Sequence, residues 1–344
     1  MSSNSLVFSH QRDTAIALSR HFETVTVFTS EVSSETLPEN LNVKLIKWRP
    51  NSPILNLLVV LTTLVPHLSS NRSAVVFTHM TDVHAALISP FTYLLGMRHV
   101  LWYAHATNSL FLNFASLFVN RIVSSTSGSC NLDINTFKVQ FINQGINQMD
   151  FPFQIPKLLK MNKLFYYGRL DKSKNIHLFP NLIEMLTSKK SNFTIDIFGQ
   201  PTSKQPEKYM VDVKLHPVVC NAKSKVKFHG PIERKQIPWA VRNFGVFVNL
   251  FSGSLDKTLI EATFMGKPVV TWNQEYCRAF GTWSGMPVAE TLEFIAHEIF
   301  TIESLKTSSL SAELQRRLNI GIKLHSFDGW VVRLVSVLQE GFKS

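Results

Sequence analysis

Glycine is missing from the first 95 residues, and no two of the chain's 14 glycines stand at the G-x-G spacing. The dinucleotide fingerprint is therefore absent, which argues against a nicotinamide or flavin dehydrogenase. Gly266-Lys267 has no glycine five residues earlier, so there is no P-loop, and no G-x-S-x-G elbow marks a hydrolase. His297-Glu298 lacks a second histidine four residues on, and no two aspartates stand at D-x-D spacing. The usual carboxylate clamp for a metal–nucleotide complex is thus lacking, and any phosphate must be held by protein cations and backbone N–H groups. Cysteine is scarce: Cys130, Cys220 and Cys277 lie far apart and form no C-x-x-C pair. A structural zinc site or a secreted disulfide framework is not expected, and a reducing cytoplasm is.

Long hydrophobic runs are also lacking. The most apolar stretch, Ile54–Val65, contains Asn56, Thr62 and Thr63 and is bounded by Pro53 and Pro66. It falls short of the roughly 20 residues a spanning helix needs and reads as a buried helix. Met1–Arg12 is polar and has no apolar segment of the kind a signal peptide carries. The expectation is a soluble cytoplasmic chain, at most peripheral at the inner face of a membrane, with Ile54–Val65 as the contact region.

What is present is a globular composition, with 344 residues, 45% hydrophobic and 17% charged, long enough for two domains. Up to Ile155 there are 9 Lys+Arg against 8 Asp+Glu, and from Pro156 onward 26 against 16, so almost all of the net +11 belongs to the second half. A basic half suits polyanions. No paired Cys/His finger, RNP aromatic set or basic heptad appears, so nucleic acid is not expected as a partner.

Short apolar runs alternate with helical ones throughout. The first half offers strands at Ser5–Ser9, Val25–Thr29, Val43–Lys47, Ala74–Thr78, His99–Tyr103, Arg121–Ser124 and Val139–Ile142, with helices at Asp13–His21, Ile54–Leu68 and Val83–Gly96. Asp150–Asn162, with two prolines and two lysines, reads as a linker. Beyond it come strands Leu164–Tyr167, Phe193–Phe198, Val226–His229, Val246–Leu250 and Pro268–Trp272, with helices Ile176–Leu186 and Asp256–Met265. From Thr291 the pattern is helical, and Asp328–Phe342 is long enough to pack back on the first domain. Apolar strands separated by helices predict parallel sheets covered on both faces. The expected architecture is α/β, with two doubly wound Rossmann-like domains facing a cleft: 1–155, 156–325, and a returning C-terminal helix over 326–344.

Two segments of the second half carry chemistry. In Tyr167-Gly168-Arg169-Leu170-Asp171-Lys172-Ser173-Lys174-Asn175 a strand ends at Gly168, and Arg169 and Lys174 occupy the loop to the next helix. Ligands of open α/β sheets bind beyond the carboxyl ends of strands, and Arg and Lys are phosphate donors; the plain alternative is a solvated basic loop. In Phe251-Ser252-Gly253-Ser254-Leu255-Asp256-Lys257-Thr258-Leu259-Ile260-Glu261 a strand enters a Ser/Gly turn, and a helix begins near Ser254. Its free N–H groups would form an anion site. Glu261 sits among apolar neighbours, so its carboxylate must be paired or face a cleft.

These segments, with TIDIFG, VKFHG and GSLDKTLIEATFMGKPVV, resemble family-4 glycosyltransferases of the GT-B fold. In the first half HVLWYAHA, RIVSSTSGS and QGINQMDF match more weakly but in order, so the likeness covers about Val100–Asn273. It implies a retaining, metal-independent transfer of a sugar from a nucleotide-diphosphate donor to a hydroxyl of a glycan or lipid-linked acceptor, with no cofactor beyond that donor. Arg169 and Lys174 would neutralise the leaving diphosphate, aided by Gly168 and the backbone from Ser254 through Leu255 and Asp256 to Lys257. Glu261 would accept from the ribose hydroxyls, and Ile232 would hold the base through its backbone. His105 would contact the donor sugar from the first domain, with Ser127 lining the same cleft or capping a turn.

The chain also departs from the pattern. Where many relatives have a first glutamate, it has Gly253, with Asp256-Lys257 as the substitute within the interval, and Ser9-His10-Gln11-Arg12 stands where relatives have a glycine-rich loop. These departures keep open a catalytically weak or inactive binding protein of the same fold, and a nucleotide-sugar epimerase is a further alternative.

Overall fold

The structure is a computed structural model and describes residues 9–31, 36–49, 52–105, 107–132, 138–153, 160–189, 192–201, 209, 211, 213–215 and 225–341. The chain divides into two compact units, Met1–Gly145 with Asp328–Ser344, and Ile146–Phe327.

In the first unit α1 (Ser9–Ser19) leads to β1 (Val25–Thr29) and β2 (Leu41–Leu45), which pair in parallel. Next come α2 (Pro53–Val59), a π-helical turn (Val60–Leu64) and α3 (Val65–Ser69). The π turn has a local cause. Pro66 has no N–H to give, and the Val65 N–H bonds the Val60 carbonyl five residues back. The alternation then continues through β3 (Val76–His79), α4 (Asp82–Leu94), β4 (His99–Trp102), α5 (Leu110–Phe118), β5 (Arg121–Ser124) and β6 (Val139–Phe141). These four strands form a parallel sheet in sequence order. Of the expected first strand, Ser5–Phe8 lie outside the described residues, and Ser9 already opens a helix.

The second unit holds β7 (Lys160–Tyr167), α6 (Phe179–Lys189), β8 (Thr194–Phe198), β9 (Val226–Gly230), a short α7 (Ile237–Ala240), β10 (Phe244–Asn249), α8 (Lys257–Phe264), β11 (Val269–Thr271), α9 (Gln274–Phe280), α10 (Leu292–Ser304) and α11 (Thr307–His325). The expected linker ends in the sheet, because Lys160–Asn162 are the first residues of β7. The sheet is parallel in the order β11-β10-β7-β8-β9, the doubly wound arrangement in which the strand order reverses between β7 and β10. Leu164–Tyr167 and Val246–Val248 are fully or almost fully buried, as apolar strands covered on both faces must be.

The last helix, α12 (Phe327–Gln339), brings Trp330 edge-on to Trp102 at 5.2 Å between ring centres. A Cβ at Gly145 would meet the Trp330 ring at 2.8 Å, so only glycine leaves room for it. Arg98 and Arg121 both bond Glu340, and Arg333 Nε donates to the Ile142 carbonyl.

At the base of β4, His99 is fully buried between two threonines. Thr92 gives its hydroxyl hydrogen to the Ser89 carbonyl, so His99 Nδ1–H donates to Thr92 (3.0 Å) and Thr78 donates to Nε2 (2.7 Å). Burial lowers the His99 pKa to about 3. The unfolded chain binds this proton near pH 6.5 and the folded chain does not, so stability drops as pH falls from about 6.5 towards 3, by ~1.4 kcal/mol per unit for this group. Urea unfolding followed from pH 7 to 4 should show that slope in the native chain and lose about one proton's worth in His99→Gln. Equal slopes would remove His99 as the cause.

Candidate active site

The carboxyl ends of β7, β8 and β9 each close on a glycine in an unusual conformation: Gly168 (φ +146°), Gly199 (φ +149°) and Gly230 (φ +75°). Gly168 N–H donates to the Phe198 carbonyl (3.0 Å) and Gly199 N–H to the Gly230 carbonyl (2.7 Å). A Cβ at Gly199 would run into the Gly168 carbonyl. The three strand ends thus lie against one another as bare backbone, with the β7 loop on top.

That loop carries the expected basic residues, and they play different parts. Arg169 is mostly exposed and pairs with Asp171 at 3.4 Å. Lys174 is buried; its Nζ lies 2.6 Å from Asp256 Oδ2 and 3.5 Å from the centre of the Phe251 ring. Asn175, in a left-handed conformation (φ +54°), donates to the Leu250 carbonyl at the end of β10 (2.8 Å). The loop after β7 is thereby fastened across the point where the strand order reverses.

The helix expected from Ser254 begins later. Asp256 is the N-cap of α8, its side chain accepting from the Thr258 N–H (3.2 Å), because a carboxylate there satisfies a free donor that Ser254 does not reach. Burial alone would raise the Asp256 pKa, but the Lys174 ammonium and the bonds from Thr258 and Asn249 outweigh it and hold the carboxyl below its usual range. Asp256 is thus fully engaged, which bears on its expected service in place of a first glutamate. Leu255 is buried and its N–H donates to Glu275 Oε2 (2.6 Å), while the Ser254 and Gly253 carbonyls accept from Asn273. Of this backbone stretch, the Leu255 donor expected to hold phosphate is occupied by a carboxylate. Lys257, the first residue of α8, is exposed.

Glu261 is buried on α8. Its partner is Arg234, whose Nη2 lies 3.1 Å from Oε1. Arg234 also stands over the Phe151 ring at 4.9 Å and faces Asp150 at 3.8 Å. The Tyr167 hydroxyl has one hydrogen to give and lies 3.2 Å from the Thr258 carbonyl and within hydrogen-bonding reach of Glu261. Burial raises the Glu261 pKa, and the Arg234 and Lys257 charges oppose that rise. Ile232, two residues before Arg234, is half-buried against the core of the same unit.

Gly168, Arg169, Lys174, Ile232, Ser254–Lys257 and Glu261 therefore gather at one sheet edge. His105 and Ser127 belong to the first unit. His105 is exposed after β4, edge-on to Tyr103 at 5.4 Å, and Ser127 opens a short 3-10 turn after β5 whose cap is made by Thr126 and Ser129. Sequence reasoning missed Arg234, Asn249 and Glu275. Arg234 stands in Glu-Arg-Lys-Gln, which reads as a solvated charge run. Among the described residues, no three His, Cys, Asp or Glu side chains cluster as metal ligands.

Residues 147–279 match the family model of glycosyl transferases group 1. That match covers β7–β11 and every candidate site residue of the second unit. In structure the chain is similar to a glycosyltransferase from Rickettsia africae, with a TM-score of 0.74 at 14% identity, covering 100% of this chain and 97% of that one. It is similar to Anabaena HepE in complex with UDP, with a TM-score of 0.72 at 14% identity and 98% of both chains covered. A sucrose-phosphate synthase from Thermosynechococcus elongatus gives a TM-score of 0.70 at 12% identity over 97% of this chain and 93% of that one. The shared fold is GT-B. No curated protein matches the chain in sequence.

Truncating Arg234 leaves Glu261 buried without its counter-charge. Arg234→Ala should cost roughly 2–3 kcal/mol in urea unfolding, below the full value for a buried pair because Arg234 is partly exposed. Arg234→Lys should recover part of this. Undiminished stability in the alanine variant would show that Glu261 is balanced by another group.

Proposed function

We propose that this protein is a retaining, metal-independent glycosyltransferase of the family-4 type. It moves a sugar from a nucleotide-diphosphate donor to a hydroxyl of a glycan or lipid-linked acceptor. The observation that carries the reading is the gathering of cations and a buried carboxylate at the carboxyl edge of β7 and β10, where a doubly wound sheet takes its ligand. Its support is the family match over that edge and the presence of UDP in the similar Anabaena structure.

In this reading the diphosphate lies on the β7 loop, against Arg169 and Lys174. Ile232 contacts the base, and Glu261 accepts from the ribose hydroxyls. The anomeric carbon–oxygen bond to phosphate breaks, placing negative charge on the departing oxygen and positive charge on the ring. Fixed cations stabilise the first. The acceptor oxygen bonds the anomeric carbon on the face the phosphate leaves, and its proton passes to the phosphate oxygen. His105 contacts the donor sugar near the reacting carbon.

A second reading, donor binding without turnover, is favoured by one observation: Gly253 replaces a glutamate, and Asp256 is already spent on Lys174, Asn249 and Thr258. Thermal unfolding in the presence of UDP, GDP, ADP and CMP, with chelator throughout, tests both. One nucleoside diphosphate at about 100 times its Kd should add ~2.7 kcal/mol, and no shift from any would sink both readings. Turnover of the matching nucleotide sugar separates them. Arg169→Ala should lower turnover by about 10²–10³, and His105→Ala should lower it more than it weakens nucleotide binding. Native rates in either variant would remove that residue from the site.

A further inference from the structure

The helix running from α2 through the π turn to α3 buries a narrow stripe, Asn56, Val60, Leu64 and Leu68, at a spacing of four. Most of the rest of its surface is turned outward; it is uncharged and leucine-rich. Ile54 is 76% exposed and Leu58 49%, with Leu55, Leu57 and Leu61 between 38% and 42%. Thr62, Thr63 and Pro66 complete that surface. Pro53–Ser69 contains no Asp, Glu, Lys or Arg. A helix on the surface of a water-soluble domain ordinarily carries charge on its outer face.

Basic residues flank this helix, and the nearest acid along the sheet is Glu31, just past the end of β1, the strand that pairs with β2. Lys44, Lys47 and Arg49 precede the helix and Arg72 follows it, all exposed. Two of them are fastened to the helix, Lys44 by its side chain and Arg49 by its backbone. Lys44 Nζ is 3.2 Å from His67 Nδ1 on α3, and Asn56 takes both the N–H and the carbonyl of Arg49, at 3.0 and 2.9 Å. Between Asn40 and Leu132 the sequence has six Lys and Arg and one acidic residue, Asp82, which is bonded to Ser109. The first half's near-zero balance arises because five of its eight acids precede Asn40.

We infer that the outer face of Ile54–Pro66 docks onto a membrane surface bearing anionic lipid headgroups, the leucines entering the acyl boundary and Lys44, Lys47, Arg49 and Arg72 meeting the headgroups. Charge complementarity commits the face to this occupant. An uncharged, leucine-rich outer face flanked mainly by basic residues is what an interfacial helix presents. No helix among the described residues is long and apolar enough to cross a membrane, so the contact lies in the plane of the surface. The inference is independent of the donor site and of turnover.

The test is co-sedimentation of the whole chain with vesicles of phosphatidylcholine alone and with about one-third phosphatidylglycerol. Binding should be at least about tenfold tighter to the anionic vesicles and fall steeply between 0.1 and 0.5 M salt, as the screening length shortens from about 10 Å. Leu58→Glu with Leu61→Glu should remove binding at unchanged thermal stability, since both side chains are exposed. Lys47→Glu with Arg72→Glu should remove the anionic preference. Failure of the native chain to bind anionic vesicles, or native binding by the leucine variant, would overturn the assignment. So would a native dimer in light scattering that the leucine variant turns into a monomer, which would give the face to a second copy. Loss of binding in Leu117→Glu on α5 but not in the leucine pair would move the docking surface elsewhere.

Discussion

The Lys174–Asp256 ion pair is the constraint on which the second unit's edge depends. One carboxylate caps α8 through Thr258, takes Asn249 at the end of β10, and holds the ammonium of the β7 loop. Three segments that meet where the strand order reverses are thus fixed by one side chain. Buried pairs of this kind contribute little net stability, but removing one partner strands the other charge and costs several kcal/mol. Loss of activity on truncating Lys174 would therefore report the position of α8 as much as contact with a phosphate. Arg169, exposed and outside that network, reads the phosphate contact more cleanly.

Much of the second unit was legible because its strands are short apolar runs, a pattern that a sheet covered on both faces demands, and three of them close on glycine. Arg121–Ser124 came out with its predicted ends, and β7 differed by extending back to Lys160, where the polar Lys160 and Asn162 looked like linker. Helix starts were less legible. Ser254 and Asp256 are both good caps by type, and only the positions of Thr258 and Lys174 choose between them. The chemistry of Glu261 was readable, since an acid among apolar neighbours needs a partner. Which partner was not, because Arg234 lies 27 residues earlier and its own neighbours look like ordinary solvated charge. Charge sums misled in the same way: a domain total near zero concealed a segment with a single acid.

The two ion pairs also divide the candidate site electrically. At its buried level Lys174 faces Asp256 and Arg234 faces Glu261, so the charges there balance. Above them Arg169, Lys172 and Lys257 are exposed. A polyanion is drawn to such a positive rim, whereas uncharged hydroxyl groups suit a level where charge is already paired. Under the proposed function this arrangement orients the donor: diphosphate outward on the loop, ribose inward on Glu261. Arg234 is what makes the inward half work. A carboxylate accepts two hydroxyl hydrogens only while ionised, and burial pushes Glu261 towards its neutral form. The guanidinium beside it resists that push, so under that proposal the strength of Glu261 as a hydroxyl acceptor is set by a residue that need not touch the ribose at all.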